Sequence, residues 1–204
     1  MFSASLLLAF SWASTGAPDV TLTAAFRETK PEALSSQHAT LARDCESSKL
    51  AATCYHAALG SYLLALTSLQ ADKDAAANQL AQCGRFSALA GTQDTLKAEA
   101  DALLSACYGL SIALNASKGM ALGPASTTLL ADAERLAPTS PRVHYFAAMR
   151  LFRTPKIWGG DPVKALAHAE RALKLFEDPE ANAAGLAWGK PEVAHLIEQI
   201  KAEK

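Results

Sequence analysis

From Leu50 onward, apolar and small residues return every three or four positions. Leu50, Cys54, Ala57, Ser61, Leu64 and Ser68 trace one stripe, and Tyr55, Leu59, Leu63 and Leu66 a neighbouring one. That spacing is the period of an α-helix and excludes the period of two that a half-buried strand needs. The same reading extends along the chain. Pro31 suits the first turn of a helix that Glu32 to Arg43 continue, with Leu34 and Leu41 on one face. Asp44 to Ser48 is expected to break it, with Ser47 or Ser48 capping the next helix. Asp72 starts a helix that ends near Gly91, and Thr92 or Asp94 starts one that runs to about Ala116. Ser117 to Pro124 reads as a glycine-bearing loop, followed by a helix from Ser126 to Leu136. Pro138 and Pro141 bracket a corner before a helix from Arg142 to Phe152. Asp161-Pro162 opens a helix to Phe176, and Pro191 to Ala202 forms the last one. Composition agrees: 44 Ala and 29 Leu stand against eight Ile and Val together, and strands favour β-branched residues where helices favour Ala and Leu. The fold class expected is all-α.

Met1 to Ala17 stands apart. It has no charged side chain, an apolar run from Leu6 to Phe10, and a tail of small residues. This is the pattern of a secretory signal whose apolar run is too short to span a bilayer. Cleavage after Ala13 or Gly16 is preferred to cleavage after Ala17, which would leave Pro18 first. The remainder, residues 18–204, reads as one helical domain in the periplasm or medium. Cys45, Cys54, Cys83 and Cys107 are even in number and fit an oxidising compartment as two disulfides. Four cysteines allow three pairings. Cys45 with Cys54 and Cys83 with Cys107 would each join the end of one helix to its successor; Cys54 with Cys83 is the next alternative. No pair has the short spacing of a zinc site. The net charge of −1 gives no field for nucleic acid, and no stretch after residue 18 is long enough for a membrane span.

An internal period supports stacked helix pairs. Gly109 and Ala148, Ser126 and Ala165, and Ala133 and Ala172 are each 39 apart. First helices read His56-x2-Leu59-Gly60-x2-Leu63, Ser105-x2-Tyr108-Gly109-x2-Ile112 and His144-x2-Ala147-Ala148-x2-Leu151. Second helices read Ser126-x3-Leu130-x2-Ala133 and Ala165-x3-Ala169-x2-Ala172. Over residues 48 to 177 these motifs resemble the tetratricopeptide-repeat (TPR) family, in which small residues let antiparallel helices approach and bulky ones interlock. The stretch from His144 to Phe176, with Gly159-Gly160, looks most like exported bacterial members of that type. The resemblance implies a right-handed α-solenoid with pairs at about 48–91, 94–137 and 141–177, extra terminal helices including 191–202, and no enzymatic activity.

It also implies a concave groove that binds a protein or peptide of the cell envelope. Leu103, Ala106 and Leu110 would line it from one repeat, and Arg142, Tyr145, Met149, Phe152 and Arg153 from the next. The alternative occupant of that groove is the chain's own C-terminal helix or the 32–43 helix. The alternative function is a small-molecule carrier or transporter accessory, in which Arg142 and Arg153 hold an amphipathic anion. Lys156 to Pro162 reads as a structural turn with Trp158 packed beneath it, and Trp188 as a cover for one end of the stack. No catalytic motif is present, and the five histidines are dispersed at 38, 56, 144, 168 and 195. A helical pair could bring His144 and His168 together, but neither a cofactor nor a metal is expected.

Overall fold

The computed structural model describes residues 16–203 except 180, 182 and 183. Met1 to Thr15 of the expected export signal lie outside the described residues. The described residues form nine α-helices and no strand: α1 (Pro18–Arg27), α2 (Pro31–Ser48), α3 (Ala51–Ser68), α4 (Lys73–Ala90), α5 (Asp94–Leu114), α6 (Gly119–Leu136), α7 (Pro141–Arg153), α8 (Pro162–Leu175) and α9 (Lys190–Ala202). The chain is all-α, as its periodicity predicts.

Local chemistry sets most helix ends. Asp72 caps α4 by accepting from Ala75 N at 2.9 Å, Ser140 caps α7 by accepting from Val143 N at 3.2 Å, and Asp161 accepts from both Val163 N and Lys164 N at the start of α8. Each cap satisfies an amide that the helix itself leaves orphaned. Pro141 and Pro162 follow at the first helical position. Two boundaries differ from the sequence expectation. The helix from Pro31 runs through Asp44 and stops at Lys49, which adopts φ 55°. The serines at 47 and 48 hydrogen-bond back to the Asp44 carbonyl inside α2, so they extend that helix rather than cap α3. The expected loop from Ser117 to Pro124 is helical as well. A 3₁₀ turn over Ala116–Lys118 runs directly into α6, and Pro124 sits exposed within the early turns of that helix.

Helices pack mainly on chain neighbours, α2 on α3, α3 on α4, α5 on α6 and α7 on α8, while α3, α5 and α7 also touch in succession. Leu59 of α3, Leu103 of α5 and Val143 and Phe146 of α7 are all buried. Small residues permit the close approaches. Ala133, Ala148, Ala165, Ala169 and Ala172 are fully buried. Ser105 and Ser126 each donate to the other's backbone carbonyl, at 2.8 and 3.0 Å, where α5 crosses α6. Gly60 faces the His38 ring so closely that a Cβ would meet it at 3.0 Å. Gly109 plays no such part, since it is exposed with open space where its Cβ would lie. The expectation that it marks a close helix contact is therefore corrected.

Disulfides join Cys45 to Cys54 across the α2–α3 turn and Cys83 to Cys107 between α4 and α5. They close loops separated by 9 and 24 residues respectively. The longer loop removes more unfolded-state entropy, so replacing the Cys83–Cys107 pair by alanine costs about 1 kcal/mol more than replacing the shorter pair. Urea unfolding of the two double variants checks the order; equal losses would remove loop length as the controlling quantity.

Candidate functional site

A cavity of about 460 Å³ opens between the first turns of α5, the α6–α7 corner and Ala181 and Ala184 of the C-terminal segment. Ala98, Leu136, Ala137 and Pro138 give it apolar walls; Asp94, Lys97, Glu99 and Ser140 supply polar groups. Lys97 is tied to Asp101 at 2.7 Å. Glu99 reaches the cavity because α5 places Leu96, Glu99, Leu103 and Cys107 on one buried stripe. Its Oε1 accepts from the Ser140 hydroxyl at 2.6 Å, the same hydroxyl that caps α7. Its Oε2 is buried with no hydrogen-bond donor among the described residues. Burial pushes the Glu99 carboxyl above the ordinary glutamate value, while the Arg142 charge and the Ser140 hydrogen bond pull the other way.

Behind Glu99 lies Arg142, the largest fully buried side chain. Its guanidinium carbon stands 5.4 Å from the Phe176 ring centre and 5.8 Å from that of Trp188, and Nη2 donates to the Leu186 carbonyl. Tyr55 is also fully enclosed, and burial reinforced by the Glu99 charge raises its hydroxyl well above the usual tyrosine range. Asp19 of α1 accepts from Ala187 N at 2.6 Å, so the first helix clasps the segment that covers α7.

This arrangement corrects the expected groove. Arg142, Tyr145 and Leu103 are buried, and Ala106, Leu110, Met149 and Phe152 are half-buried against the core. Only Arg153 of that set is exposed, where it donates to Gln199 of α9. On α7 the C-terminal segment is the cover: Arg142 donates to the Leu186 carbonyl, and Tyr145 and Phe146 meet the Trp188 ring edge-on or tilted. Trp158 is likewise not packed beneath its turn. It is 74% exposed beside Ile157, which is 85% exposed.

Among the histidines, His38 pairs with Ser61 at 2.8 Å and His195 with Gln199 at 3.0 Å. His144 and His168 do meet, with Nδ1 atoms 3.1 Å apart and Glu134 beside them. The sequence reading passed over Glu99, Glu134 and Asp19. Glu99 carried a usable signal, because it is a carboxylate on an otherwise apolar helical stripe. Glu134 carried none, because it becomes a neighbour only when α6 meets α7 and α8.

A helical domain with an open, partly polar surface cavity is the class that fold and site define. No family model and no curated protein matches the chain. Its fold is similar to the solved structure of the HusA haemophore from Porphyromonas gingivalis, with a TM-score of 0.67 and 22% identity over 94% of this chain and 96% of that one. At this identity the likeness is one of fold.

Two disulfides fit an exported protein. Among the described residues no helix is long and apolar enough to cross a membrane.

Proposed function

We propose that the chain is a non-enzymatic, exported carrier of a small amphipathic ligand of the tetrapyrrole class, held in the cavity above Glu99. The observation that carries this reading is the cavity itself. Its volume of about 460 Å³ falls within the roughly 300–1,000 Å³ of small-molecule sites, and Glu99 is part of its lining. The likeness in fold to a haemophore makes haem the first ligand to test. A peptide is less well served, because the face expected to receive it is covered by the chain's own C-terminal segment. The small residues that resemble tetratricopeptide repeats suit this reading too, since they bring the helix pairs close enough to frame a chamber.

The walls suggest how a ligand is held. Among the described residues no histidine, methionine, tyrosine or cysteine lines the cavity, so apolar contact and a polar anchor supply the binding. Burial raises the Glu99 carboxyl above its ordinary value, so its protonated form can donate to a ligand carboxylate, with Lys97 at the rim adding positive charge.

Titration of haem and of metal-free protoporphyrin into the disulfide-intact protein, followed by absorbance, tests this. Both saturate at one per chain, and both weaken as pH rises from the ordinary glutamate range through the raised value of Glu99, because the donor proton is lost on that path. Glu99→Gln keeps a donor at every pH and flattens the profile. Absence of saturable binding by either compound would sink the proposal.

A further inference from the structure

We propose that Glu134, His144 and His168 form a binding site for a divalent transition-metal ion of the zinc class, where α6, α7 and α8 meet. The three side chains come from three helices. His144 Nδ1 and His168 Nδ1 are 3.1 Å apart, Glu134 Oε1 is 3.5 Å from His168 Nδ1, and the three ligand atoms all lie within 4.8 Å of one another. Tetrahedral ligands at about 2.0–2.1 Å from zinc stand about 3.3–3.4 Å apart. Small side-chain rotations therefore suffice to close the set on one ion.

Counting protons favours a cation over a plain hydrogen-bonded cluster. His144 Nε2 lies 2.9 Å from the Pro138 carbonyl. A carbonyl only accepts, so that nitrogen carries the ring proton, and the neutral imidazole turns its Nδ1 lone pair towards His168. His168 Nδ1 faces both that lone pair and the Glu134 carboxylate. A single N–H shared between two acceptors makes only a weaker three-centre bond, whereas a dication serves all three atoms at once. The His144 contact to Pro138 is also the kind of outer hydrogen bond that orients a metal-ligating imidazole.

Charge and access agree. Arg171 donates to the same Pro138 carbonyl at 3.0 Å, and Glu134 supplies the negative charge that offsets it. His168 and Arg171 border an open surface recess of about 160 Å³, so the His168 edge of the cluster adjoins solvent. Two imidazoles and one carboxylate suit zinc, cobalt or nickel better than magnesium or calcium. No free cysteine is present to compete among the described residues.

Calorimetric titration of the disulfide-intact full chain with Zn²⁺, and Co²⁺ absorption as a reporter of coordination, decide the matter. One Zn²⁺ binds per chain and raises the melting temperature. His168→Ala, at a half-exposed position, weakens it by about 100-fold or more, since even the loss of an outer partner costs about 10–100-fold. Glu134→Gln also weakens it, and melts of the metal-free variants show that the fold persists. Should His168→Ala fail to fold, Glu134→Gln makes the comparison alone. Failure of the wild type to bind Zn²⁺, or binding of unchanged affinity in the folded variants, would overturn the assignment. Either result leaves the haem titration unaffected, because the cavity above Glu99 shares none of these three side chains.

Discussion

Replacing Arg142 by alanine lowers the free energy of unfolding by about 3 kcal/mol, the scale of breaking a buried hydrogen-bonded network and leaving its acceptor unpaired. Three losses coincide at this position. Glu99 keeps its buried carboxyl but loses the charge that opposes its desolvation. The Leu186 carbonyl loses a donor, and the Phe176 and Trp188 rings lose the guanidinium between them. Equilibrium unfolding in urea measures the sum. A second variant separates the electrostatic part: in a Glu99→Gln background the same Arg142→Ala change costs less, because no ionisable carboxyl is left without the guanidinium charge that favours its ionised form. An unchanged cost in that background would show that Arg142 acts through packing alone. A loss below about 1 kcal/mol, which is the scale of an exposed ion pair, would contradict the burial on which the site rests.

Ala137→Trp weakens haem binding by about 100-fold or more, equivalent to about 2.7 kcal/mol. Ala137 lies on the cavity wall at the end of α6 and is only half-buried. An indole there fills the chamber without entering the seam between α3, α5 and α7. The melting temperature is the control, and it stays near the wild-type value. Wild-type affinity in a folded Ala137→Trp protein would move the ligand elsewhere on the surface. A parallel loss of affinity and stability would instead indicate that the corner before α7 had been disrupted. In that event Leu136→Trp, at a more exposed wall position, repeats the test.

Helix identity and most helix boundaries were legible because they depend on neighbours within a turn or two. Asp72, Ser140-Pro141 and Asp161-Pro162 announce starts through capping hydrogen bonds that need no tertiary partner. The misread boundaries have local causes too. Lys49 takes a left-handed conformation that glycine more commonly adopts, and Pro124, the sixth residue of α6, costs that helix a backbone hydrogen bond without ending it.

Periodicity names a face of a helix but not what lies against it. Arg142, Tyr145 and Met149 share a face in any helix drawn over residues 141–153, and the sequence alone places that face in a groove as easily as in a core. The answer came from residues 186–188, more than forty positions away, whose carbonyl and indole close over α7. Likewise His144 and His168 could be paired in advance as members of one helical hairpin, whereas Glu134 joins them only because a third helix arrives beside the pair.

The sequence by itself determined an all-helical chain, its main helix starts and the cysteines available to staple it, since these follow from short-range hydrogen bonding, side-chain period and composition. Only the tertiary structure decided which polar residues are enclosed, because burial is set by whichever distant segment covers a helix face, and the pattern along that helix carries no record of it.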